Sequence, residues 1–367
     1  MPRRRPRIIL LLLVASALSG CLSDVASSES AAPDGQSDAG TPDAFGLDSG
    51  ILDDGTPTDA SASVDASFDA SVDASSDALV DASSDASADA ALDASFDPVA
   101  PTEIGPPSRR ARLVAPDAHD GRKRLPALFM LHGFRGDAAS QDAYFRMSAV
   151  TRARGLYLVV PNGTTNREGA RFWNATDACC DFDRSGVDDV AYLTGLLDEL
   201  ARVVPVDAKR VYFVGHSNGG FMSYRMACER ASRIAAVASL AGSDFIDPAA
   251  CVPAKPVSVL QIHGTRDGTI NYGGGAIDGL GRYPGAEDVV ARWASRASCA
   301  GAPPEALPNR DIDGFFPGAE AEVRRRARGC ANDTVFELWR IPNGGHVPTL
   351  AREFASQVVD WLLARSR

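Results

Sequence analysis

Ser217 stands in Gly215-His216-Ser217-Asn218-Gly219, a G-x-S-x-G pentapeptide entered by the apolar run Val211-Tyr212-Phe213-Val214 and left by a helix-like segment. A sharp strand-to-helix turn of this kind strains the serine backbone and exposes the hydroxyl, while the flanking glycines leave room for the crowded chain. The pentapeptide alone also fits an ordinary glycine-rich turn; the strand before it and the helix after it favour a nucleophile. A serine hydroxyl is a poor nucleophile at neutral pH. It needs a histidine to take its proton and a carboxylate to orient that histidine.

The chain offers both, in the order Ser, Asp, His. Asp267 lies in Ile262-His263-Gly264-Thr265-Arg266-Asp267-Gly268, directly after an apolar strand, and His346 ends Asn343-Gly344-Gly345-His346, past a strand that closes near Ile341. Asp244 and Asp247, on an earlier loop, are the competing carboxylates. In Leu131-His132-Gly133-Phe134 a backbone N–H follows a strand, and the Phe134 and Asn218 amides together are the expected oxyanion hole. Trp173 and Tyr272 are candidates for an aromatic acyl pocket, with packing as the alternative. The remaining histidines read as structural: His119 in a polar loop, His216 inside the elbow, His263 at a strand end.

These groups need a scaffold that brings distant loops together. Apolar runs at 127–131, 156–160, 211–214, 257–262 and 336–339 read as buried strands, and 188–203, 221–230, 286–298 and 350–364 read as helices. Strands alternating with helices imply a mainly parallel sheet covered on both faces, with working groups on loops at the carboxyl ends of strands. The 265 residues from 103 to 367 suit one such α/β domain.

Leu131-His132-Gly133, Trp173-Asn174-Ala175 with Cys179-Cys180, Val187-Asp188-Asp189-Val190, the elbow with Phe221-Met222, His263-Gly264-Thr265-Arg266-Asp267 and Gly344-Gly345-His346 form a set. Together they resemble the polyhydroxybutyrate depolymerase and feruloyl esterase group of α/β-hydrolases. The resemblance implies an α/β-hydrolase fold, a Ser217, Asp267 and His346 triad, and two-step hydrolysis of a carboxylic ester without a cofactor. It leaves open a polyester or a feruloylated or acetylated plant polysaccharide as substrate. The chain departs from many relatives in having His346-Val347-Pro348 where they have His-Thr-Trp-Pro, and Phe134 where they have Cys. A noncatalytic binding lipoprotein on a hydrolase fold is the reading from another class, and it has no need of all three triad residues.

The net charge of -11 is concentrated before this domain. Residues 22–100 carry 17 Asp, one Glu and no Lys or Arg, which leaves the folded part near neutral and gives no basic face for nucleic acid. Arg324-Arg325-Arg326 with Arg328 is the dense basic cluster, read as a solvated loop. Asp recurs every four residues from Asp65 to Asp97 among Ala and Ser, which disfavours a helix and offers no core, so 22–102 reads as a disordered tether. A flexible chain of that length reaches about 50 Å on average.

Ahead of it, Arg3, Arg4, Arg5 and Arg7 precede the apolar stretch Ile8 to Leu18, the pattern of an export signal over 1–21. Leu18-Ser19-Gly20-Cys21 resembles a bacterial lipobox, so Cys21 is the expected lipid anchor to a membrane, and Leu22 after it favours the outer membrane. A plain secretory signal is the alternative. In an exported chain the other six cysteines are disulfide candidates. Closeness in sequence pairs Cys228 with Cys251 and Cys299 with Cys330, leaving Cys179 and Cys180 joined or free. No cysteine or histidine pair has zinc-ligand spacing.

Overall fold

The computed structural model describes residues 96–299, 301 and 303–367. The export signal, Cys21 and the Asp-rich tract up to residue 95 lie outside the described residues. Described residues ahead of the expected boundary at 103 already pack on the domain: the Phe96 N–H donates to the Gly121 carbonyl at 3.0 Å and Ala100 packs against the core.

The strands, in chain order, are β1 (Glu103–Ile104), β2 (Ala111–Val114), β3 (Leu125–Leu131), β4 (Tyr157–Val160), β5 (Thr164–Thr165), β6 (Arg171–Phe172) and β7 (Val206–His216). They continue as β8 (Ala236–Leu240), β9 (Ser258–Gly264), β10 (Gly274–Ala276), β11 (Arg282–Pro284), β12 (Glu305–Arg310), β13 (Ala321–Arg326) and β14 (Phe336–Ile341). The helices are α1 (Ala138–Phe145), α2 (Met147–Arg154), α3 (Asp189–Val203), α4 (Asn218–Glu229), α5 (Ala286–Arg296) and α6 (Phe354–Leu363).

Ten strands form one sheet in the order β1-β2-β4-β3-β7-β8-β9-β14-β13-β12. The centre, from β4 to β14, is parallel, and antiparallel strands finish both edges. All seven residues of β3 are buried because both faces of the sheet are covered, which is why its sequence is a continuous apolar run rather than an alternating one. Successive residues still point to opposite faces. Ala127, Phe129, Val211 and Phe213 enter the core shared with α3, α4 and α5, while Leu128, Met130, Tyr212 and Val214 enter the core shared with α1, α2 and α6.

The expected strands and helices are present, with α4 beginning at Asn218 rather than Phe221. Arg324, Arg325 and Arg326 are a correction: they lie on strand β13 and not in a loop. Arg325 pairs with the buried Glu337 of β14 and Arg324 with Glu322, so the cluster is partly consumed within the sheet. Disulfides join Cys228 to Cys251, Cys299 to Cys330, and the neighbours Cys179 and Cys180. Since β3, β7, β9 and β14 run parallel, their carboxyl ends share one edge of the sheet, and each leads into a loop carrying a candidate residue.

Candidate active site

Ser217 follows the last residue of β7 and caps the start of α4, with φ 52° and ψ -119°. This is sparsely populated backbone for a residue with a Cβ, and it persists only where the surroundings over-determine it. The glycines show what fixes it. A Cβ on Gly215 would meet the Gly219 carbonyl oxygen at 2.1 Å, and one on Gly219 would meet the Leu131 oxygen at 2.3 Å. The Ser217 N–H is held by the Leu240 carbonyl at 2.8 Å.

His346 reaches this serine from the loop after β14. Its Nε2 lies 2.9 Å from Ser217 Oγ and its Nδ1 lies 2.8 Å from Asp267 Oδ2. With Nδ1–H donating to the carboxylate, Nε2 is left as acceptor for the serine proton, the tautomer a general base requires. Asp267 is buried, and its Oδ1 accepts from the Thr269 and Ile270 amides at 2.9 and 2.8 Å. Burial alone would push its pKa up. Donation from His263 and His346 outweighs that and holds the carboxyl well below the usual range.

The competing carboxylates are engaged elsewhere. Asp244 Oδ2 accepts from Trp293 Nε1 at 3.0 Å and pairs with Arg296 at 3.1 Å, and Asp247 caps the 3-10 turn Pro248–Ala250.

The strand end at His132-Gly133-Phe134 passes beside Ser217: a Cβ on Gly133 would stand 3.4 Å from Ser217 Cβ. His132 fixes this turn, its Nδ1 donating to the Gly133 carbonyl at 2.8 Å and its Nε2 accepting from the Gly163 N–H at 2.8 Å. Burial lowers its pKa to about 4, so it stays neutral at pH 7. The Phe134 ring packs on Phe182 at 5.2 Å between centroids, and Phe182 is 43% exposed.

Trp173 does not line a pocket. It is 0% exposed, and its Nε1 donates to the His132 carbonyl at 3.0 Å, so it braces the turn beside Ser217 from behind. Tyr272 is half-buried and packs against the core, its hydroxyl donating to the exposed Glu287 at 2.8 Å and its ring meeting His263 edge on. Trp173 is therefore a support, because it is fully buried and its polar end is tied to the His132 turn.

Two histidines read as structural from sequence sit against the triad. His216 Nε2 donates to the His346 carbonyl at 3.0 Å, the two rings lie 5.0 Å apart, and burial together with the neighbouring His346 lowers the His216 pKa to about 4. His263 Nε2 lies 3.2 Å from Asp267 Oδ2. The signal for His263 was its place four residues before Asp267 at the same strand end; a single sequence does not show that the turn doubles back.

The description "Esterase PHB depolymerase" belongs to a family whose profile matches residues 111–328. Feruloyl esterase B from Piromyces equi is 26% identical over 245 residues, covering 65% of this chain and 42% of that protein. A bifunctional acetylxylan esterase/xylanase from Neocallimastix patriciarum is 29% identical over 147 residues, covering 40% of this chain and 20% of that one. The chain thus spans less than half the length of either relative. Among solved structures, the acetyl xylan esterase from Aspergillus awamori superposes with a TM-score of 0.51 at 13% identity, covering 72% of this chain and 97% of that chain. That likeness shows an α/β-hydrolase fold, and the match over 111–328 shows that the chain belongs to the esterase PHB depolymerase family.

Proposed function

We propose that this protein is a serine esterase that hydrolyses carboxylic esters through an acyl-enzyme on Ser217. The observation that carries the reading is His346 bridging Ser217 Oγ at 2.9 Å and Asp267 Oδ2 at 2.8 Å, on loops from three different strands. In this reading His346 Nε2 takes the serine proton as Oγ attacks the ester carbonyl, and Asp267 stabilises the imidazolium that forms. The Phe134 and Asn218 amides hold the developing oxyanion. The proton passes to the departing alcohol, and water then releases the acid through the same histidine. These steps need no cofactor.

A polyhydroxybutyrate-type polyester is the first substrate reading, from the family. A feruloyl or acetyl ester on plant polysaccharide is the second, favoured by the printed activities of the relatives and by the Phe134 and Phe182 ring pair at the oxyanion turn. The export signal and the disulfides support a location outside the cytoplasm, with Cys21 lipidated and the segment from 22 holding the esterase domain away from the membrane.

The test is a panel of hydroxybutyrate oligomers, feruloylated xylan fragments and acetylated xylan. Fastest release of hydroxybutyrate supports the first substrate reading, and fastest release of ferulate or acetate moves the assignment to the second. Failure on every ester, including short p-nitrophenyl esters, supports a binding protein instead.

A further inference from the structure

Asp267 has two histidine partners, and the mechanism above uses one. Its Oδ2 sits between His346 Nδ1 at 2.8 Å and His263 Nε2 at 3.2 Å, while its Oδ1 is filled by two backbone amides. His263 is buried on β9, and its Nε2 also meets the Ile270 carbonyl at 2.7 Å. A carbonyl only accepts, so the proton is on Nε2.

The partner of Nδ1 enforces the same tautomer. Gln261, two residues earlier on the same face of β9, presents its Nε2 to the Gly242 carbonyl at 2.9 Å and to His263 Nδ1 at 3.0 Å. Gly242 fixes which end of the amide carries the N–H groups, so His263 Nδ1 can only accept. Gln261 Oε1 accepts from the buried Tyr224 hydroxyl at 2.7 Å. A continuous chain of polar contacts, buried up to Asp267, therefore runs Tyr224, Gln261, His263, Asp267, His346, Ser217.

We propose that His263 is a positioning residue: held in its Nε2–H form by Gln261, it clamps the Asp267 turn through Ile270 and aims the carboxylate at His346. This rests on the esterase reading of Ser217. The clamp acts on orientation, because Ile270 closes the turn whose amides also hold Oδ1. It acts on charge as well, because the Nε2–H, directed chiefly at the Ile270 carbonyl, still lies 3.2 Å from Oδ2 and draws on the charge that His346 would otherwise receive alone. The titratable groups facing the cluster are His216 at the end of β7, His346, Tyr272, whose ring meets His263 at 5.8 Å between centroids, and Tyr283, whose hydroxyl accepts from the Asn271 N–H at 2.9 Å. Arg340 lies over the Tyr272 ring.

The experiment uses the full chain and short p-nitrophenyl esters, with kcat expressed per site titrated by a fluorophosphonate. His263→Leu removes the donor, and His263→Gln keeps an N–H near the position of Nε2. For His263→Leu we expect kcat to fall about tenfold to a hundredfold with KM little changed, as for loss of a hydrogen bond to a charged group. The acid limb of kcat/KM moves to higher pH, because Asp267 then gives its full charge to His346. His263→Gln recovers most of kcat and the wild-type limb. Wild-type kcat per titrated site in His263→Leu, or equal impairment in both variants with no movement of the limb, overturns the proposal.

If His263→Leu does not fold, Gln261→Met carries the test, with a severalfold loss and a moved limb expected and wild-type values overturning it. Undiminished hydrolysis by Ser217→Ala would instead remove the esterase reading beneath, so the two failures are distinguishable.

Discussion

The Asn218 carboxamide closes a pair of hydrogen bonds on the backbone of Trp173, its Oδ1 accepting from the N–H at 2.7 Å and its Nδ2 donating to the carbonyl at 2.9 Å. The residue after Ser217 is thereby tied to the segment that carries the Cys179–Cys180 disulfide and braces the His132 turn. In the proposed mechanism Asn218 thus has two parts to play, a backbone N–H for the oxyanion and a side chain tied to the Trp173 backbone.

Asn218→Ala keeps the N–H and loses the tie to Trp173. Each of the two buried bonds contributes about 1 kcal/mol, so Tm should fall by several degrees and kcat by about tenfold. Asn218→Asp should be worse than Ala, because a carboxylate would face the Trp173 carbonyl. Calorimetry and steady-state kinetics on a p-nitrophenyl ester check both, and an Ala variant with wild-type Tm would contradict the tie.

The aspartates should separate into function and stability. Asp267→Asn removes the acceptor that sets the His346 tautomer, and the triad precedent puts the loss at about 10⁴ in kcat. Asp244→Asn should leave activity per titrated site intact while lowering stability by on the order of 3 kcal/mol, because Arg296 loses its buried partner. Denaturant melts and active-site titration read the two effects separately.

Acid should destabilise the domain through its buried histidines. His132 and His216 have pKa values lowered to about 4 in the fold, below the unfolded value near 6.5. Between those values the unfolded chain binds the extra protons, so stability rises with pH across that window and is lost as pH falls from 6.5 towards 4. Each histidine contributes about 3 kcal/mol to the change. Asp267, whose folded pKa is depressed, adds a loss in the same direction below the ordinary carboxylate range. Tm measured from pH 8 to pH 4 should bend downward below about 6.5, and His216→Gln should flatten that bend.

Trp173 and Phe182 should change different kinetic constants. Trp173→Phe loses the bond to the His132 carbonyl at a site substrate does not reach, so kcat falls and KM holds. Phe182→Ala strips the exposed ring that packs on Phe134, so KM for an aromatic acyl ester rises while kcat for an acetyl ester holds. A KM effect for Trp173→Phe would return it to the pocket.

Much of the site was readable because its signals are local. The strand before Ser217, the Asp-Gly turn after β9 and the Gly-Gly-His346 loop each stand at a strand end, and parallel strands put those ends on one edge. What sequence did not show is which side chains meet across loops. Trp173 looked like a pocket residue because aromatic rings line pockets and cores alike; only its bond to His132 decides. His216 and His263 looked inert because their partners, His346 and Asp267, arrive from elsewhere in the fold. Strand β8 went unread because Ala-Val-Ala-Ser-Leu is short and small, its burial coming from β7 and β9 on either side. The arginines of β13 look like a loop because an antiparallel strand next to the sheet edge and beside Glu337 tolerates charges that a central strand does not.

The central claim is that Ser217 is the acylated nucleophile. The most direct measurement is mass spectrometry of the folded protein after a fluorophosphonate, alongside hydrolysis of a short p-nitrophenyl ester by wild type and Ser217→Ala. One adduct per chain on Ser217, with hydrolysis lost in step with labelling and absent from Ser217→Ala, is the predicted result. No adduct on Ser217, or hydrolysis by Ser217→Ala at the wild-type rate, would contradict it.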